Sequence, residues 1–152
     1  MHRREVLGMI GATAAGLTTL AGVEASSAQG HKSHAGHKMH GQFDKCAKIS
    51  AACQVQCDSC FHHCAALLAN GQKAHAQTMH LCVDCAEFCS TAARLVARHS
   101  SLSKAACEAC AEACDKCAAQ CEKFPEEEHC MACAKSCREG AKSCREMIKH
   151  LA

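Results

Sequence analysis

Between Cys107 and Cys121 the chain reads C-E-A-C-A-E-A-C-D-K-C-A-A-Q-C, with a thiol at positions 107, 110, 114, 117 and 121. Steps of three, four, three and four residues keep returning to one face of an α-helix, the seam that a coiled helix turns toward its partners. Leu, Ile and Val normally fill such a seam. Here sulfur fills all of it, and the residues between are mostly strong helix formers. A helix striped this way must pack its stripe against something. The expectation is three similar helices, with metal in the space between.

The rest of the chain falls into the same register. The first helix is expected from about Asp44 to Ala69, with Cys46, Cys53, Cys57, Cys60, Cys64 and Leu67 on its seam and Asn70-Gly71 as its stop. The second runs from about Gln72 to His99, with His75, Thr78, Cys82, Cys85, Cys89, Ala92 and Val96 inward. Ser100 to Ser103 supply a turn and an N-cap. The third runs from about Leu102 to Phe124, where Pro125 breaks it. The fourth starts near Pro125, with Glu126, Glu127 and Glu128 in an acidic first turn. Its seam is Cys130, Cys133, Cys137, Gly140, Cys144, Met147 and Leu151. Connections this short make neighbouring helices antiparallel. The fold class is therefore all-α, an antiparallel up-down-up-down four-helix bundle with a cysteine-lined core over residues 44–152. No alternating strand pattern competes.

Two segments precede the bundle. Residues 1–28 carry Arg3-Arg4, a mostly apolar run from Val6 to Val23, and Ser26-Ser27-Ala28 as a cleavage site. The run R-R-E-V-L-G resembles a twin-arginine signal, so the mature chain is expected to be exported to the periplasm and free of stable membrane association. That route moves folded proteins, which keeps thiols hidden from an oxidising compartment. Residues 29–43 read as a flexible arm bearing His31, His34, His37, Met39 and His40, either a weak metal-capturing tail or a solvated linker.

Seventeen cysteines in 152 residues, with no Trp or Tyr and four Phe, leave two classes open: a disulfide scaffold or a thiolate metal site. A net charge of +2 without a basic stripe gives no support for nucleic-acid binding. Thiols three or four residues apart on one helix have Cβ atoms about 5–6 Å apart, whereas a disulfide needs about 3.5–4.5 Å. The pairs 53/57, 60/64, 85/89, 110/114, 117/121 and 133/137 therefore suit two thiolates flanking an ion. Soft thiolates select Cu(I), zinc or iron–sulfur clusters. Zinc usually sits in a tetrahedral knuckle and clusters usually take loop ligands. Continuous helix favours Cu(I), which accepts two or three sulfurs, so many ions can lie side by side. Each ion also supplies counter-charge and displaces thiol protons. The competing readings are a zinc-binding, metallothionein-like buffer, a disulfide-stapled structural protein and a thiol oxidoreductase. Nothing marks out one activated C-x-x-C or a catalytic constellation, so an enzyme is not expected.

Antiparallel packing sorts the two ends. Cys64, Leu67, Asn70, His75, Met79, Phe124 and His129 gather at one, and Ile49, Leu95, Val96, Met147, Ile148 and Leu151 at the other. Metal is expected to enter at the first, with His75 on the seam and Met79 and His129 beside it. His62, His63 and His80 fall on outer, solvated positions.

From Lys45 to Met147 the chain resembles the copper storage proteins. The resemblance rests on C-x-x-x-C pairs on four helices, on C-E-A-C-A-E-A-C-D-K-C, on C-E-K-F-P between the third and fourth helices, and on H-C-M-A-C-A-K-S-C-R after it. It implies multiple Cu(I) ions held by Cys46, Cys53, Cys57, Cys60, Cys64, Cys82, Cys85, Cys89, Cys107, Cys110, Cys114, Cys117, Cys121, Cys130, Cys133, Cys137 and Cys144. It also implies a mouth bearing His or Met, and commonly a homotetramer. The mouth here is rich in His rather than Met.

Overall fold

The computed structural model describes residues 34–151. The export segment expected at residues 1–28 lies outside them, as does the start of the arm. Four helices follow one another: α1 His34–Ala69, α2 Ala76–Ala97, α3 Ser103–Cys121 and α4 Glu128–His150, with a single 3-10 turn at Lys73–His75 leading into α2. No strand occurs among the described residues.

The sulfur pairs report the topology. Between α2 and α3, Cys82 meets Cys117 and Cys89 meets Cys110, so numbers fall on one helix as they rise on the other. Between α1 and α4, Cys57 meets Cys137 and Cys60 meets Cys130. The α1–α2 and α3–α4 pairs run the same way, with Cys53 grouped with Cys85, Cys60 with Cys82, and Cys117 against Cys133. Diagonal contacts, Cys53 to Cys114 and Cys85 to Cys137, place all four stripes on one axis. The bundle is up-down-up-down as the periodicity requires.

Its interior is unusual in content. The buried apolar side chains are the seventeen cysteines, six alanines, Phe43, Val96 and Met147. Thiols here do the packing that branched aliphatics do elsewhere. Two of the connections share one device. Gly71, at φ 86°, closes α1, with the Gln72 N–H donating to the Leu67 carbonyl and Gly71 N–H to Leu68. His99, at φ 52°, closes α2 in the same pattern, through Ser100 N–H to Leu95 and His99 N–H to Val96. These are the paired bonds of a left-handed helix terminus, which Gly adopts freely and His only at a cost.

Three boundaries differ from the sequence reading. The third helix ends at Cys121 and the fourth starts at Glu128, leaving Pro125 in a turn closed by the Glu127 N–H on the Phe124 carbonyl. Ser100 accepts from the Leu102 N–H but does not cap α3, and the Ser103 hydroxyl donates instead to the Leu95 carbonyl at 3.1 Å. The first helix starts at His34, ten residues before Asp44, so much of the expected flexible arm is helical. Phe43 supplies the reason. It lies three residues before Cys46 on the same stripe, is 5% exposed, and stacks on His99 at 4.0 Å, which anchors an extra stretch of α1 to the end of α2.

Candidate metal centre

All seventeen thiols expected on the seam are buried and none is in a disulfide. Sixteen are 0% exposed and Cys46 is 2% exposed. Neighbouring sulfurs lie 3.5–4.0 Å apart, from Cys89–Cys114 at 3.5 Å to Cys60–Cys130 at 4.0 Å. A metal–thiolate bond of about 2.3 Å places three sulfurs around one ion about 4 Å from each other. The lining is thus already spaced for ions, without the in-helix distortion a disulfide would need.

The sulfurs gather into overlapping groups along the axis. Cys53, Cys85, Cys114 and Cys137 form one, with one thiol from each helix. Cys57, Cys117, Cys133 and Cys137 form the next, then Cys60, Cys82, Cys121 and Cys133, then Cys60, Cys64 and Cys130. Cys137, Cys133 and Cys60 each belong to two groups, so ions in adjacent groups would be bridged by shared thiolates. Cys89 and Cys110, 3.6 Å apart, extend this ladder from the Cys114 side. At the far end Cys46, Cys107 and Cys144 form a separate trio.

Protons are shared unevenly along the ladder. Hydrogen bonds led by Cys114 bring Cys85 down to about 7, and Cys114 and Cys137 draw Cys53 below the usual thiol range. Their neighbours take up the protons: Cys89, crowded first by Cys110 and Cys114, and Cys137, crowded first by Cys114, are both pushed up. Burial, helped by the nearby charges of Cys133 and Glu127, raises Cys64. A set of thiolates held by neighbouring S–H donors is a ready receptor for a soft cation, which replaces those protons.

The mouth residues divide. His75 is 4% exposed, its ring 4.2 Å from Phe124, and its Nδ1 is buried without a hydrogen-bond partner. An orphaned ring nitrogen is costly, and a soft ion would satisfy it. Met79 is half-buried against the core. His129 is exposed and stacks on His63 at 4.5 Å. His63 is not the solvated outer residue expected, since its Nε2 lies 2.8 Å from a Glu127 carboxylate oxygen. Its position next to Cys64 on the rim was the available signal. Two further features escaped the sequence reading. Ser50 is fully buried, 3.9 Å from the Cys144 sulfur, and its place four after Cys46 and three before Cys53 marks it as a seam position. The His40–His99–Phe43 stack caps the opposite end, where only an apolar plug was expected. Gly140, on the seam, makes room for sulfur: a Cβ there would lie 3.3 Å from the Cys114 sulfur and 3.5 Å from that of Cys53.

No helix among the described residues is long and apolar enough to cross a membrane. Residues 39–149 match the family model described as copper storage protein. The solved structure of the Cu(I)-bound copper storage protein BsCsp3 is 31% identical, with a TM-score of 0.65, and the match covers 70% of this chain and 98% of that one. A cytosolic copper storage protein from Streptomyces lividans, solved during copper loading with five coppers, shares the fold at 24% identity and a TM-score of 0.68, covering 74% of this chain and 97% of that one. No curated protein sequence matches the chain.

Proposed function

The chain belongs to the copper storage protein family, and we propose that it binds and stores multiple Cu(I) ions on the thiolates lining its bundle, as a store and not as a catalyst. The observation that carries this is the run of overlapping, fully buried cysteine groups along one axis. Sulfurs shared between groups suit an ion content with two or three ligands, so the load approaches one ion per thiol. Zinc, demanding four ligands each, would reach about one ion per four thiols. All seventeen cysteines are ligands in this reading. His75, Met79 and His129 receive the ion at the mouth, with the free Nδ1 of His75 as the first inner donor.

Two further elements belong to the reading. Export by the twin-arginine route, with cleavage after Ala28, places the mature chain in the periplasm, supported by Arg3-Arg4 and the apolar run that follows. Assembly as a homotetramer is implied by the resemblance and supported by exposed apolar side chains on the outer faces, including Val55, Val83, Phe88 and Met131. The deciding experiment is an anaerobic Cu(I) titration of the reduced mature protein against a competing chelator, with free thiols counted before and after. A load well above one ion per four thiols, consuming the thiols as it rises, is the expected result. A protein purified without reductant that is already cross-linked and ignores cuprous ion would sink the reading.

A further inference from the structure

The sulfur stripe is interrupted on three of the four helices and runs on only along α3, where Cys110 follows Cys107 by one turn. Among the described residues, close sulfur pairs link Cys53, Cys57, Cys82, Cys85, Cys89, Cys110, Cys114, Cys117, Cys133 and Cys137 into one net. None of these pairs reaches the trio at the far end. The thiols that act on Cys46 and Cys107 are each other and Cys144. Three substitutions in the stripe make the gap. On α1, Ser50 stands where a thiol would continue from Cys46 to Cys53, and on α4 Gly140 stands between Cys144 and Cys137. On α2 the stripe passes from Cys89 to Ala92 and Val96, so that helix offers no sulfur at the trio's level. Seven residues of helix separate Cys46 from Cys53 and Cys137 from Cys144, about 10 Å of rise.

We propose that Cys46, Cys107 and Cys144 form a discrete three-sulfur site for a single Cu(I) ion, separate from the ladder. The proposal rests on the Cu(I) reading above and adds a division within it. The three sulfurs come from three helices and lie within 4.8 Å of one another. That is close to the spacing of about 4 Å that three thiolates take around one ion. With Ala92 and Val96 on the seam of α2, the one helix that adds no thiol, the site cannot complete a zinc tetrahedron from protein sulfur. None of its three sulfurs belongs to the ladder groups described above, so an ion there is not bridged to copper in those groups. Phe43, three residues before Cys46 on the same stripe, is buried and stacks on His99, the contact that also anchors the start of α1.

Removal of thiols distinguishes a discrete site from one end of a continuous tube. Cu(I) titration of the Cys46→Ala/Cys107→Ala double variant and of the Cys46→Ala/Cys107→Ala/Cys144→Ala triple variant should each fall short of the wild type by the same one ion. A graded loss approaching one ion per thiol, or no loss, overturns the proposal. The wild type gives a second reading that no folding defect can obscure. In crystals loaded with Cu(I), anomalous scattering should show one peak among these three sulfurs, farther from its nearest copper than ladder coppers are from each other. A filled ladder beside an empty trio, or a copper–copper contact across the Ser50–Gly140 level, overturns the discrete site and leaves the storage reading standing. A wild type that takes up no copper anywhere ends both.

Discussion

The two ends of the sulfur lining are built from the same residue and behave as different objects. In the ladder, two of the groups draw one thiol from each of the four helices, and Cys60, Cys133 and Cys137 each serve two groups. In the trio, α1, α3 and α4 contribute, α2 offers Ala92 and Val96, and Ser50 and Gly140 hold the next sulfurs away. The lesson is that the number of cysteines does not set what a thiolate bundle holds. Sharing does. A sulfur counted twice ties the fates of two ions together, and a missing thiol on each of three helices is enough to untie them.

The strongest way to break the comparison is to remove shared sulfurs. Cys133→Ser/Cys137→Ser takes out two thiols that touch three four-sulfur groups between them. Its Cu(I) capacity is expected to fall by more than two ions, against one for the equal removal of Cys46 and Cys107, measured by the same chelator titration. Equal losses from the two pairs would erase the distinction between regions.

A smaller effect is expected at the boundary. In Gly140→Ala the new methyl meets the sulfurs of Cys114 and Cys53 at 3.3 and 3.5 Å. The gain in helix propensity, about 1 kcal/mol, offsets the crowding in the empty protein, so its melting temperature should move by only a few degrees, roughly 1 kcal/mol in a domain of this size. Loading should suffer more, by about one ion from the group of Cys53, Cys85, Cys114 and Cys137, because those sulfurs lose their freedom to close on metal. A capacity equal to the wild type would show that this level tolerates the methyl.

The smallest effect is on the empty protein's response to pH. The folded pKa values of Cys46 and Cys107 are raised, as are those of Cys57, Cys82, Cys89 and Cys137 in the ladder, while Cys53, Cys85, Cys117 and Cys133 are lowered. Raised thiols keep protons in the folded state that the unfolded chain gives up above its ordinary thiol pKa of about 8.5. Their stabilisation is whole below that pH and is lost as pH rises further. Lowered thiols act in the opposite sense, and there are fewer of them. Thermal melts of the reduced, metal-free protein should therefore fall as pH rises from about 8.5 to about 10. Replacing Cys46 and Cys107 by Ala should flatten that fall, since the trio has no lowered thiol among its cited shifts to compensate. A stability that rises with pH would reverse the assignment.

Much of this was legible in the sequence because the stripe is made of one residue type. Each cysteine marks an inward position unambiguously, so the 3–4 spacing gave the four helices, their burial and their register. What escaped were the places where the stripe is not sulfur. Ser50 is a polar residue that the register alone assigns to the core, and a thiol-only search passes over it. Phe43 and His99 are far apart in the chain, and their stack depends on a left-handed His that propensity does not favour. The His63–Glu127 contact joins α1 to the residue just before α4, and no periodicity within either helix encodes it. Helix propensity alone also misjudged the arm, because the extra turns of α1 are held by packing at Phe43 and not by their own composition.

The interior of cysteine and alanine has a consequence for turnover. Binding to the folded chain alone raises its stability in proportion to occupancy, so a full copy resists opening better than an empty one. Proteases that catch transiently opened chains would clear vacant copies first, and the surviving population would register how much metal the surroundings supply without any dedicated sensor. Digestion of a half-filled mixture, with metal counted in the survivors, should return copies richer in copper than the starting pool.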